Sequence, residues 1–109
     1  MNVYDEAHNL ELAIKESEEY KQFDVMKVKV SDKPELEKML KNFQQKQMAM
    51  QAKQMMGETV GDDMKKTVQE LYTIVAQDPL AAEYLQCEMR FAMMMQDVYK
   101  ILGDVVSIG

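Results

Sequence analysis

Residues 42–58, with the sequence NFQQKQMAMQAKQMMGE, combine large flexible apolar side chains with glutamines. Positions that recur at alternating steps of four and three residues are typical of a helix that packs on another helix. Extended back to residue 36, this spacing selects one seam, formed by Leu36, Leu40, Phe43, Gln47, Met50 and Gln54. Neutral amides within such a seam set its register, because a wrong frame leaves them unpaired. The segment is therefore predicted to be helical and to contact another helix.

The composition favours a few long helices in one domain. A chain of 109 residues is predicted to form a single helical domain over residues 1–109. With 4 Gly and 2 Pro, the chain has few sites for turns. With 12 Met and no Trp, the core must be filled largely by flexible aliphatic side chains. We predict an all-α fold, an antiparallel bundle of three to four helices with long central and C-terminal helices, that is dimeric.

Capping signals divide the chain into helical segments at about 2–16, 18–30, 33–56, 62–77 and 79–103. Ser17 is predicted to break the first segment and cap the second. The sequence Asp32-Lys33-Pro34-Glu35 resembles a capping box with Asp32 as the cap. Gly57 is expected to end the central helix, and Asp78-Pro79 to begin the last one. Residues 26–30 also alternate with period two, so a short strand remains an alternative to helix over residues 24–30.

The last helix carries two adjacent apolar seams that only Glu88 interrupts. The first is Leu80, Tyr84, Cys87, Phe91, Met94, Val98, Ile101 and Val105, and the second is Ala81, Leu85, Glu88, Ala92, Met95, Tyr99, Leu102 and Val106. A face this wide indicates packing on two or more neighbouring helices. Three or four helices of one small chain hardly cover it, so we expect a homodimer or a hetero-oligomer with related helical subunits. The candidate interface comprises residues of the central and last helices: Leu40, Phe43, Gln47, Met50, Gln54, Met55, Phe91, Met94, Met95 and Val98.

The methionines divide into two groups by their place relative to these seams. Core packing is the usual role of methionine at helical spacing, and it is predicted for Met39, Met50, Met94 and Met95. A second group lies outside the seams and is predicted to form an adaptable partner-binding face: Met48, Met55, Met56, Met89 and Met93.

Charge and cysteine content restrict the possible partners and locations. A net charge of −6 repels a phosphate backbone, so an RNA-associated regulator that touches RNA itself is disfavoured, and no direct nucleic-acid binding is expected. Cys87 is the one cysteine, which excludes an intrachain disulfide and suits a reducing cytoplasm. The acidic N-terminus is unlike a signal peptide, and no apolar run is long enough to cross a membrane. We expect a cytoplasmic chain without membrane contact.

Chemistry-bearing side chains are few and scattered. Asp5, His8 and Glu11 lie on neighbouring turns of the first helix and form the best candidate metal set. A helical di-metal site needs more carboxylates facing the core than these seams supply. Cys87 lies in an apolar seam and is predicted to be a small buried hydrophobe. We therefore predict no catalytic residue, metal or cofactor; the alternative is a small helical metal- or ligand-binding enzyme using Asp5, His8 and Glu11.

The collinear pattern of Val3-Tyr4-Asp5-Glu6-Ala7, Ser17-Glu18-Glu19-Tyr20 and residues 42–58 resembles the YlbF/YmcA/YheA family of small bacterial helical proteins, and the YheA branch most closely. The resemblance runs from the first helix to about Leu102. It implies an all-helical domain that pairs with itself or with related subunits, and it does not imply catalytic activity. Members of other branches of the family resemble regulatory subunits that join an iron-sulfur protein. They influence the ribonuclease that processes messenger RNA, with effects on competence, sporulation and biofilm. The present chain departs from that pattern in having no cysteine-rich tail.

Overall fold

The structure is a computed structural model that describes residues 2–106, and all of its regular secondary structure within that range is helical. Five helices follow one another: α1 (Val3–Glu16), α2 (Glu18–Ser31), α3 (Pro34–Met55), α4 (Asp62–Ala76) and α5 (Pro79–Val106). The predicted all-α class is confirmed, whereas the predicted count of three to four helices is wrong, because the described residues form five helices. Residues 24–30 belong to α2, so the alternative of a strand is excluded.

The side chains of Asn2 and Ser17 cap the ends of the first two helices. Asn2 Oδ1 accepts hydrogen bonds from the backbone N–H groups of Tyr4, at 2.8 Å, and Asp5, at 3.4 Å. Ser17 Oγ donates to the carbonyl of Ile14 at 2.6 Å and accepts from the N–H of Tyr20 at 3.1 Å. The Ser17 hydroxyl thus closes α1 and caps α2, which confirms the predicted break.

The start of α3 differs from the prediction. Lys33, not Asp32, is the N-cap residue, and no side chain caps the helix. The N–H of Lys33 donates to the carbonyl of Val30 at 2.9 Å, so a turn that continues from α2 occupies Asp32. Pro34 begins the helix directly, where its missing N–H costs nothing because the first N–H groups of a helix lack intrahelical partners.

The end of α3 is a Schellman motif centred on Gly57. The N–H of Glu58 donates to the carbonyl of Lys53 at 2.9 Å, and the N–H of Gly57 donates to the carbonyl of Gln54 at 3.2 Å. Gly57 has φ of 75°, a left-handed conformation that a side chain disfavours. The predicted stop at Gly57 is confirmed, and the loop that follows leads into α4.

The turn between α4 and α5 is short because one carboxylate caps the second helix. Asp78 Oδ1 accepts from the N–H groups of Leu80, at 2.9 Å, and Ala81, at 3.2 Å. Pro79 occupies the first position of α5. Both features match the roles predicted for Asp78 and Pro79.

Contacts within the chain divide it into two compact units. Residues 2–28 and 84–106 belong to unit 1, and unit 2 is Lys29–Glu83. Unit 2 contains most of the buried apolar side chains in the described part of the chain: Val30, Leu36, Leu40, Phe43, Val60, Val68, Val75 and Ala81. Unit 1 contributes Met26 and Cys87 to that set. The well-formed core therefore lies in unit 2, where α3 packs on α4.

Candidate functional site

Two of the predicted interface residues on α3 belong to the core of unit 2. Leu40 is 2% exposed and Phe43 is 3% exposed. The ring of Phe43 lies against that of Tyr72 on α4, with 5.9 Å between the centroids and 49° between the planes. Because the loop after Gly57 returns the chain along α3, α4 covers the first half of the seam that the sequence pattern identifies.

The second half of the α3 seam lies closer to solvent. Of its residues, Gln47 and Met50 are half-buried and Gln54 is exposed. Met55, beside the seam, is 89% exposed. Across residues 2–106, no buried side-chain nitrogen or oxygen lacks a hydrogen-bond partner. The amides therefore carry no desolvation penalty in the single chain, and this half of the seam is available to another helix.

The methionines outside the seams are exposed, as the sequence pattern predicts. Met48, Met55 and Met56 are 68%, 89% and 74% exposed at the end of α3. Met89 and Met93 on α5 are similarly accessible. Among the methionines predicted to be core, Met50, Met94 and Met95 are half-buried, whereas Met39 is 38% exposed, so the core role predicted for it is wrong.

Unit 1 contains an aromatic contact between α2 and α5. The rings of Phe23 and Phe91 stack with centroids 5.3 Å apart, and Tyr20 and Tyr84 lie against the same pair. The ammonium of Lys27 lies 4.8 Å from the centre of the Phe23 ring, where the negative face of the ring attracts it. Phe91, a predicted interface residue, is therefore already half-covered by its own chain.

The apolar face of α5 becomes more exposed toward its C-terminal end. The predicted interface residues Met94, Met95 and Val98 are half-buried. The apolar side chains beyond them are 49–83% exposed, namely Tyr99, Ile101, Leu102, Val105 and Val106. These five positions lie in the two seams, but the predicted interface stopped short of them. The width of the seams was the signal that could have identified them.

Helix α1 has no buried residue. Its apolar stripe is Val3, Ala7, Leu10 and Ile14, of which only Ile14 is half-buried. Val3 and the neighbouring Tyr4 are 80% and 78% exposed. An isolated helix of this length is marginal in water, and most helical stability in proteins comes from packing of the apolar face. The exposed stripe is therefore a candidate contact surface.

Each unit also has an open cleft on its surface. The cleft in unit 1, about 500 Å³, is lined by Glu18, Glu19, Gln22, Arg90, Met93 and Asp97, among others, and Arg90 Nη1 donates to Gln22 Oε1 at 3.4 Å. The cleft in unit 2, about 370 Å³, lies beside Asn42, Lys46, Asp63 and Thr67. The Thr67 hydroxyl donates to the carbonyl of Asp63 at 2.8 Å. Among the described residues, neither lining contains a cysteine, or a histidine that could act as the base for a nucleophile.

The candidate metal set does not form a chelating group. His8 Nδ1 lies 3.7 Å from Glu11 Oε1, and both side chains are largely in solvent, at 76% and 57% exposure. Within residues 2–106, no three His, Cys, Asp or Glu side chains are arranged to hold a metal ion. Cys87 is buried at 7% exposure, as predicted. None of the described helices is both long enough and apolar enough to cross a membrane.

Comparison with known proteins identifies relatives along nearly the whole chain. A UPF0342 protein of Symbiobacterium thermophilum is 38% identical over 106 residues, which cover 97% of this chain and 95% of the relative. A UPF0342 protein of Caldicellulosiruptor bescii is 37% identical over 106 residues, covering 97% of this chain and 89% of the relative.

A solved structure has a similar fold. It is a protein of unknown function (DUF964) from Bacillus stearothermophilus, with a TM-score of 0.76 and 22% identity, and the match covers 95% of this chain and 91% of that one. The model of the family described as control of competence regulator ComK, YlbF/YmcA, matches residues 3–107. The chain therefore belongs to the YlbF/YmcA family.

Proposed function

We propose that this protein is a non-enzymatic helical interaction subunit with a regulatory role, and that it self-associates in the cytoplasm. The observation that carries the proposal is the amount of apolar helix surface exposed in the single chain, above all on α1, which has no buried residue. Exposed apolar surface of this extent marks interaction sites in soluble proteins. The family description supports a regulatory role because it refers to control of a competence regulator.

The candidate interface consists of one surface on each unit. On unit 2 it comprises the accessible end of the α3 seam, Gln47, Met50 and Gln54, and Met55 beside it, with Leu40 and Phe43 supporting it from the core. On unit 1 it comprises Phe91, Met94, Met95 and Val98 of α5. Methionine suits such surfaces because its flexible thioether adapts to differently shaped partners.

A metal- or ligand-binding enzyme receives no support from the geometry. Asp5, His8 and Glu11 lie on a solvent-exposed helix and belong to no metal-binding group among the described residues. We therefore propose no catalytic residue, metal or cofactor. We also propose that the chain belongs to the YheA branch, pairs with related subunits and is linked to messenger RNA processing. These three points rest on the sequence resemblance. Any link to RNA would run through a protein partner, because the net charge of −6 opposes direct contact.

Light scattering of the purified chain tests self-association. We expect a mass of at least twice that of one chain at micromolar concentration. A monomer at that concentration would contradict the proposed self-association. If the monomer also bound no hydrophobic dye, the apolar surface would be covered within one chain. Addition of RNA at low salt should leave the particle mass unchanged, and a salt-sensitive complex would contradict the absence of direct nucleic-acid binding.

A further inference from the structure

Two apolar surfaces of unit 1 lack cover in the single chain and match each other in length. The first is the α1 stripe, and the second is the terminal segment of α5, defined here as residues 92–106. At about 1.5 Å rise per residue, α1 is about 21 Å long and the terminal segment about 22 Å. Each can therefore cover the other along its whole length.

The terminal segment presents an apolar arc that one helix does not cover. With 3.6 residues per turn, the arc from Ile101 through Leu102 to Tyr99 spans roughly half of the helix circumference. Its charged residues, Asp97, Lys100 and Asp104, lie on the opposite side. Two neighbouring helices are needed to bury an arc of this width, whereas the α1 stripe is a narrower band suited to one neighbour.

The charges beside the α1 stripe indicate which neighbour it takes. Glu6 and Glu11 flank the stripe on its two sides. Two α1 helices packed stripe to stripe would bring these carboxylates together, and like charges repel. The apolar arc of the terminal segment, over residues 92–106, contains no charged residue. The α1 stripe therefore fits against the terminal segment of α5, yet in the single chain it has no buried residue.

The exposed area is sufficient for a stable dimer. Seven side chains on these two surfaces are 36–83% exposed: Val3, Leu10, Tyr99, Ile101, Leu102, Val105 and Val106. At roughly 100 Å² of apolar surface for each large side chain, they amount to about 700 Å² per chain. A standard stable interface buries roughly 800 Å² per partner, so these residues with their half-buried neighbours meet that requirement.

We infer that the occupant of these surfaces is a second copy of this chain, in which α1 of each copy packs on the terminal segment of α5 of the other. The inference deepens the proposed self-association and rests on it. A two-fold pair uses the same two surfaces twice, so both are covered in a closed assembly. The second α5 supplies the additional neighbour that the wide arc requires.

A matched pair of substitutions tests whether the terminal segment is the contact. Val105 is 83% exposed, so Val105→Glu removes little packing within the chain but places a carboxylate in the inferred interface. We expect it to raise the dimer dissociation constant at least about tenfold. Val25→Glu makes the same change at an exposed valine of α2 and is expected to leave the constant unchanged. A Val105→Glu chain that dimerises as tightly as the unmodified one would overturn the inference.

Crosslinking between two differently tagged chains tests the pairing itself. One chain carries Leu10→Cys on α1 and the other Leu102→Cys on α5, and they are mixed and treated with a short bis-maleimide. We expect a product that joins one chain of each kind, and none from the Leu10→Cys chain alone. The unmodified chain, whose Cys87 is buried, is the control and should not crosslink. Crosslinking of the Leu10→Cys chain with itself, or no mixed product from a dimeric sample, would overturn the inference.

These experiments distinguish self-association from the inferred pairing of α1 with α5. A monomeric unmodified chain contradicts both self-association and this pairing. A dimeric unmodified chain that tolerates Val105→Glu contradicts the pairing alone and leaves the α3 surface as the candidate contact.

Discussion

The rings of Phe23 on α2 and Phe91 on α5 stack with centroids 5.3 Å apart and planes inclined by 28°. In unit 1, where few side chains are fully buried, this contact and those of Tyr20 and Tyr84 around it form aromatic packing between α2 and α5. Phe91→Ala should therefore lower the free energy of unfolding by about 2 kcal/mol, less than for a fully buried ring because Phe91 is half-buried. Urea denaturation at a fixed protein concentration measures the change.

The control for Phe91→Ala is Met89→Ala on the same helix. Met89 is 65% exposed, so its truncation should change the free energy of unfolding by less than about 0.5 kcal/mol. Equal losses for the two variants would show that the stacked rings do not stabilise unit 1.

The Asp78 cap should be worth about 1 kcal/mol of stability. Its carboxylate accepts from the N–H groups of Leu80 and Ala81, and Asp78→Ala leaves both without that acceptor. Asp78→Asn keeps an oxygen at the same position and should retain most of the stability. Thermal unfolding of the three chains side by side measures the difference, and an Asn variant as unstable as the Ala variant would contradict a capping role.

Gly57 should be costly to replace because of its backbone conformation rather than its surroundings. Its φ is 75°, and a Cβ added there meets no atom within 4 Å. Gly57→Ala should therefore destabilise the chain by about 1 kcal/mol, and Gly57→Asn by less, since Asn tolerates the left-handed region better. Gly61→Ala is a control at a glycine with ordinary φ of −66° and open space. Urea midpoints of the three variants should rank Gly57→Ala lowest.

A negative charge should unfold the chain at Phe43 but not at Met55, although the sequence pattern assigns both residues to one interface. Phe43 is 3% exposed and contacts Tyr72, so Phe43→Asp should cost more than about 4 kcal/mol and unfold unit 2. Met55 is 89% exposed in the single chain, so Met55→Asp should leave the helical circular dichroism signal unchanged. A stable Phe43→Asp chain would contradict the assignment of Phe43 to the core.

Local sequence signals predicted the helix ends well, because each signal acts on backbone groups only a few residues away. The Ser17 hydroxyl, the left-handed Gly57 and the Asp78 carboxylate act on backbone groups at most five residues away, and all three occupy the predicted roles. Asp32 failed because the turn after α2 competes for the same residues, and a capping-box pattern does not reveal which of two local hydrogen-bonding arrangements forms.

Burial was harder to predict because it depends on which helices meet. The seam from Leu36 to Gln54 reads as one continuous surface, but α4 covers its first half and leaves the second half accessible. Conversely, the α1 stripe has the spacing of a core helix, and no side chain of α1 is buried. Periodicity identifies an apolar face and does not specify whether the same chain or another chain covers it.

The central claim is that a second copy covers apolar surface that one chain leaves exposed. Sedimentation velocity of the unmodified full chain across micromolar concentrations tests it most directly. We expect a species of twice the chain mass that dissociates on dilution. In Val105→Glu the equilibrium should shift toward the monomer. A single species of one chain mass throughout that range would contradict it.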